Sequence, residues 1–178
     1  MSTDDEARPA ARLTVLAGPS GSGRESVVEL VRARFPSVWI PVPATTRPRR
    51  ESEIDGADRV FLAPAEFDRR LAGGELLEWS RIGGYRRGTP YPPLRARLDA
   101  GQPVLLPLDL RGAALVGARL PGARLVLLSP PGYEPDTTVA AAAEHTLTHD
   151  RTERVVDELV GLLGSSYPDP AWSRVLRG

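Results

Sequence analysis

Residues 18–26, Gly-Pro-Ser-Gly-Ser-Gly-Arg-Glu-Ser, constrain the fold more than any other stretch of the chain. They follow the apolar run Leu-Thr-Val-Leu-Ala at 13–17 and lead into a segment with Val27, Val28, Leu30, Val31 and Phe35 at helical spacing. A strand, a glycine-rich turn and a helix in that order predict a parallel sheet, because a crossover helix is what returns the chain to lay the next strand in the same direction. Gly18 and Gly23 also satisfy the spacing of a phosphate-cradling loop, in which backbone N–H groups and a helix N-terminus face an anion. The candidate phosphate-binding residues are Gly18, Ser20, Gly21, Gly23, Arg24 and Ser26. Two positions are altered: Arg24 stands where that motif has lysine, and Glu25 where it has a magnesium-binding hydroxyl. Arginine is not a neutral replacement, since its planar fork is larger and binds two oxygens at once, whereas an ammonium acts as a point charge.

The alternation continues along the chain. Strands are predicted at 12–17, 38–42, 104–108, 124–129 and 145–150, with an extended segment at 75–82. Helices are predicted at 25–35, 65–71, 94–100, 110–120 and 151–163. The stretch 47–58 is charged and irregular, residues 1–11 form a polar tail, and the tail at 164–178 is expected to pack its tryptophan back on the body. A length of 178 residues, 41% of them hydrophobic, suits one domain with a buried core. The 23 basic and 23 acidic residues cancel, so no global field favours nucleic acid. All the basic residues are arginine, and lysine and asparagine are both missing, a pattern that GC-biased coding produces and that offers drift as one origin of Arg24. The absence of cysteine excludes disulfides, thiolate metal sites and thiol nucleophiles. With no apolar stretch near the roughly 20 residues of a membrane span, and no signal-peptide pattern at the start, a cytoplasmic location is expected. His145 and His149 share a face if 145–150 is a strand, but no third ligand is near in sequence and no metal is expected there.

Three further segments carry a family resemblance. "TTRPRRESEIDGADRVF", "ELLEWSRIGGYRRGTP" and "VLLPLDLRGA" follow the loop in the order and spacing of guanylate kinase, and the likeness runs from about Leu13 to the last helix. It implies an α/β fold of the phosphate-loop nucleotide-binding type, a single domain over 1–178 with a small GMP-binding subdomain at 43–91. Carried over position by position, Arg47 and Arg50 match the arginines that hold the GMP phosphate. Glu78, Thr89 and Asp109 match the residues that read guanine. The chemistry suits that assignment: guanine presents N1–H and a 2-amino group to carboxylates, and a 6-oxo group to a hydroxyl, whereas adenine would leave a carboxylate unpaired.

The chain also departs from that pattern. Pro43 replaces a phosphate-binding serine, Arg59 and Arg87 replace phosphate-binding tyrosines, and Pro107 replaces an aspartate near the reaction centre. Of the arginines in the acceptor region, Arg47, Arg50 and Arg87 are the expected ligands, with Arg59 a further candidate and Arg49 and Arg86 facing solvent. Residues 130–144 stand where the family has a helical lid with arginines, and no arginine occurs from 125 to 150. A related family, the ribose 1,5-bisphosphate kinases, carries an acidic residue and a serine after the loop lysine, so Glu25 alone is not disqualifying. The combined changes lead to the expectation of a pseudokinase: a protein that binds GMP or a more highly phosphorylated guanine nucleotide with kinase activity impaired or lost. The alternatives are an active ATP-dependent GMP kinase using Mg2+, a phosphoprotein-binding module, which would imply a protein partner, and an enzyme acting on GMP by other chemistry.

Overall fold

The computed structural model describes residues 12–165. The chain divides into two units, one within Met1–Ile40 and Leu98–Gly178 and the other Pro41–Arg97. The two tails, with the tryptophan expected to pack back, lie outside the described residues.

The first unit is built on a four-stranded parallel sheet in the order β6-β1-β7-β8, with β1 at Leu13–Ala17, β6 at Val104–Leu108, β7 at Arg124–Ser129 and β8 at His145–Thr148. Every residue of β1 is buried. Side chains alternate between sheet faces, so a strand buried throughout has both faces covered, which is why its sequence reads as a continuous apolar run. Helices α1 (Arg24–Arg34) and α6 (Thr152–Ser165) supply Val27, Val28, Val31, Val155, Val156, Leu159, Val160 and Leu163 to a core shared with Leu16, Leu105, Val126, Leu128 and Leu147. Helix α4 (Leu110–Arg119) buries Ala113 and Val116, and the short α5 (Thr137–Ala142) buries nothing.

One expected strand is much reduced. Over 38–42 only Trp39 pairs, with Val104, donating to Pro103 O at 2.9 Å and accepting from Leu105 N at 3.0 Å. Pro41 and Pro43 lack the N–H a ladder needs, so pairing stops there.

The second unit is a four-stranded sheet in the order β3-β2-β5-β4, with β2 at Ala44–Thr45, β3 at Val60–Phe61, β4 at Leu76–Ile82 and β5 at Tyr85–Pro90. Helix α2 (Pro64–Ala72) belongs to it, and α3 (Tyr91–Asp99) follows β5 directly. Strands β4 and β5 form a hairpin closed by Ile82 opposite Tyr85, with Gly83 and Gly84 in the turn at φ of 56° and 83°. Positive φ at both central residues is the geometry that suits the twist of paired strands, and glycine adopts it without steric cost. Fully buried Phe67 anchors this unit, its ring edge-on to Trp79 at 6.2 Å with the Arg86 guanidinium 4.6 Å above its centre. Arg86 also pairs with Asp68 and donates to Pro64 O at 3.0 Å, leaving only 13% of its side chain exposed. The expectation that Arg86 faces solvent is therefore wrong: it is a packing residue, its stem and fork covering an aromatic ring.

Candidate functional site

In the first unit the C-terminal ends of β1 and β6 lie side by side, Ala17 paired with Leu108 and Gly18 N bonded to Leu108 O at 3.3 Å. The glycine loop leaves one strand end and Asp109 the other. Gly21 and Gly23 have φ of 78° and 83°, and Gly23 is the N-cap of α1. No side chain caps α1, so the N–H groups of its first turn are not claimed by a capping oxygen. Arg24 is the first residue of the helix and half-buried, while Glu25 and Ser26 are exposed beside it. Uncapped N–H groups at a helix start, with a guanidinium beside them, are suited to the phosphates of a nucleotide.

Asp109 is exposed and acts as the N-cap of α4, accepting from Gly112 N at 2.7 Å. That contact gives the carboxylate a structural task besides the guanine-reading one expected of it. The two are separable, since asparagine caps about as well as aspartate but carries no charge. Asp109→Ala is expected to cost about 0.5–2 kcal/mol in denaturant unfolding, and Asp109→Asn only a few tenths. A loss of GMP affinity in the asparagine variant then reports on the charge alone.

In the second unit, Glu78 and Ser80 of β4 face Thr89 and Arg87 of β5 across the hairpin, and Arg87 is also paired with Thr45 of β2. Side chains two apart on a strand share a face, so one side of the sheet carries Glu78, Thr89 and Arg87 together. Glu78 is 4% exposed and accepts from Thr89 Oγ1 at 2.6 Å. A hydroxyl has one proton. With Glu78 ionised that proton is committed to the carboxylate, so in this arrangement Thr89 holds Glu78 in place and does not present a donor to a 6-oxo group.

Arg47 is held by Glu53, a residue the sequence reading did not single out. Its Nη1 and Nη2 donate to Glu53 Oε2 and Oε1 at 2.9 and 2.6 Å, and Nη1 also reaches Pro48 O at 3.0 Å. Glu53 Oε2 accepts in addition from Arg50 N at 2.8 Å, and Arg49 Nη1 donates to Glu53 O at 2.7 Å. Arg49 thus braces the loop and does not simply point to solvent. Glu53 takes the terminal edge of the Arg47 fork, which leaves the Nε–Nη2 edge, two parallel donors, for a second anion. The Arg47 guanidinium sits 5.6 Å from the centre of the Phe61 ring. Arg50 and Arg87 make no side-chain hydrogen bond or ion pair among the described residues. Arg59 is half-buried at the entry to β3, its backbone bridged to Asp55.

The hydrogen bond from the Arg47 side chain, followed by that from Arg50 N, pulls the Glu53 carboxyl down from 4.5 to about 2. Glu66 falls to about 2 as well, through Arg69 first and then Arg70. A carboxyl whose folded value is depressed stabilises the fold above its unfolded value, and that contribution is lost as pH falls from about 4.5 toward about 2. The melting temperature is therefore expected to drop between about pH 4.5 and about pH 2, and Glu53→Gln to make that drop shallower. An unchanged slope in thermal unfolding of the variant would show that the pair contributes nothing.

His149 lies against the glycine loop and is not part of a metal cluster; among the described residues no group of three or more His, Cys, Asp or Glu could hold a metal. Likewise, no helix of the described residues is long and apolar enough to cross a membrane.

Residues 10–159 match the guanylate kinase family. The guanylate kinase of Thermobifida fusca is 54% identical over 123 residues, covering 69% of this chain and 63% of that protein. That of Streptomyces coelicolor is 49% identical over 129 residues, covering 72% and 64%. The matched stretches thus span a little under two thirds of those relatives. The crystal structure of guanylate kinase from Anaplasma phagocytophilum superposes with a TM-score of 0.70 over 89% of this chain and 87% of that one, at 20% identity, a likeness of fold. With a glycine loop at the end of β1, a sheet that carries the carboxylate Glu78, and relatives about half identical, the chain belongs to the guanylate kinase family.

Proposed function

We propose that the protein transfers a phosphoryl group from ATP to GMP. The observation that carries this reading is the buried Glu78 carboxylate, fixed by Thr89 on the same sheet face as Arg87. A carboxylate oxygen accepts hydrogen bonds, and a purine bearing two adjacent N–H donors matches it in chemistry. The Nε–Nη2 edge of Arg47, with Arg50 and Arg87, would hold the monophosphate of GMP through charge-assisted contacts. The glycine loop and Arg24 would hold the phosphates of ATP.

In that reaction an oxygen of the GMP phosphate attacks the terminal phosphorus of ATP in line, and ADP leaves. There is little covalent work for the protein, so its contribution is positioning and charge neutralisation. Magnesium is the implied cofactor, and the donor set fits it: Glu25 offers a hard carboxylate oxygen at the position of the motif's hydroxyl. When bound, the ion would supply positive charge that offsets the charge of the phosphates.

A second reading, GMP binding with little transfer, is favoured by residues 130–144. There α5 is six residues long and exposed, and no arginine occurs from 125 to 150. A phosphoprotein-binding role finds less support, because a phosphorylated side chain has no base for Glu78 to read. A coupled assay with ATP and GMP, run beside calorimetry with GMP, separates these readings. Turnover on the kinase scale of about 1–100 s⁻¹ supports the first. Turnover at least about 10³-fold lower, with GMP binding intact, supports the second. Absence of GMP binding sinks both.

A further inference from the structure

The glycine loop has a support that lies outside its motif. His149 follows β8 directly, its backbone N–H bonded to Ser129 O at 2.8 Å. Its ring reaches back to the loop, with Nδ1 2.6 Å from Ser22 O and Nε2 3.1 Å from Thr152 Oγ1. A carbonyl oxygen can only accept, so Nδ1 must carry a proton. In the neutral ring Nε2 then accepts from the Thr152 hydroxyl, and the ring is held as the Nδ1–H tautomer.

The fit is tight. A Cβ placed on Gly23 would fall 2.3 Å from His149 Cε1 and 2.4 Å from Nδ1, so the imidazole fills the space that any side chain at 23 would need. Gly23 is therefore required twice over, by its φ of 83° and by this neighbour. Ser22 is 2% exposed, so without His149 its carbonyl would lose a partner in a buried place. The peptide between Ser22 and Gly23 is planar and trans, which sets its C=O and N–H on opposite sides. Tying the Ser22 carbonyl to the ring points the Gly23 N–H away from His149.

We propose that His149 is a positioning residue of the phosphate loop: by fixing the Ser22–Gly23 peptide it keeps the Gly23 N–H turned toward the ligand. This rests on the reading of the loop as the ATP phosphate site and adds a residue and a hydrogen bond to it. The requirement is a single donor at the place of Nδ1. Asparagine can supply one from its amide and alanine cannot.

The test compares the unaltered chain with His149→Ala and His149→Asn. ATP and inorganic phosphate are titrated by calorimetry, KM is measured separately for ATP and GMP, and thermal unfolding checks the fold. The expected result is an ATP affinity about 10-fold or more weaker in the alanine variant, the scale of a buried acceptor left unsatisfied. GMP should be unaffected, and the asparagine variant should recover most of the loss. Nitrogen-15 spectra of the unaltered protein should show the proton of His149 on Nδ1, a measurement that holds even if the alanine variant does not fold. A folded alanine variant with unchanged ATP affinity overturns the proposal, as does a ring protonated only on Nε2. If the unaltered chain binds neither ATP nor phosphate, the reading of the loop fails first and this proposal falls with it.

Discussion

With ATP as donor, GMP is expected to be used about 10⁴-fold more efficiently than AMP in kcat/KM, and Glu78→Leu to remove most of that preference. Glu78 is almost fully buried and already fixed by Thr89, so it cannot turn away from a base that fails to pair with it. Guanine offers this carboxylate N1–H and a 2-amino group. Adenine offers an unprotonated N1 and no 2-amino group, which would leave a buried charge facing a lone pair. Sites that bind through such groups reject the mismatched ligand by far more than an apolar pocket rejects a missing methylene, for which about 10–200-fold is usual. A leucine at 78 removes the penalty against adenine together with the reward for guanine. The preference should therefore collapse mainly through loss of GMP activity. Steady-state kinetics on both nucleotides with both proteins settle it, and a GMP to AMP ratio below about 10 in the unaltered protein would exclude Glu78 as a base reader.

Arg24→Ala is expected to lower ATP-dependent phosphorylation of GMP by about 10³-fold in kcat, with GMP affinity unchanged. Arg24 is the first residue of α1, directly after the left-handed Gly23. It is the loop's one cationic side chain, and charge on the transferred phosphoryl oxygens is what the protein must offset. Arg24→Lys keeps that charge as a point cation and should retain much more activity than alanine. A loss of less than 10-fold in the alanine variant would mean that Arg24 stands clear of the reacting phosphates.

Much of the fold was legible because burial on two sides leaves a simple mark. Strands β1, β6 and β7 consist mainly of buried apolar residues, and the glycine loop and Asp109 punctuate two of them. Strand β5 was not foreseen, because Tyr-Arg-Arg-Gly-Thr-Pro is polar and half-exposed. The signal was in the turn: Gly83-Gly84 between Ile82 and Tyr85 is a two-residue hairpin connection, and it makes the following segment a strand. Helix α5 was missed for a different reason. None of its six residues is buried, and Asp136 caps it by accepting from Thr138 N at 2.8 Å, so only a local cue announces it. At the site, the sequence indicated which arginines to consider but not what holds them. Glu53 lies six residues from Arg47 in an irregular loop, and its role depends on a turn with no periodic pattern. The contact between His149 and the loop joins residues 127 apart, a relation no spacing rule expresses.

The chain order of the parallel sheet has a consequence for how the molecule is made. Strand β1 emerges from the ribosome early, yet its two neighbours in the sheet are β6 and β7, which are not complete until residues 108 and 129. Until then a strand buried on both faces waits without partners. The unit Pro41–Arg97 lies wholly within that interval and pairs only with itself in its sheet. Its strands can close before β1 has partners. Because the entropy of joining chain ends grows only logarithmically with the length between them, a folded insert in the interval adds little to the cost of bringing β1 and β6 together. The Pro41–Arg97 unit is therefore expected to fold ahead of the parallel sheet, with the phosphate loop among the last parts of the molecule to acquire its final shape.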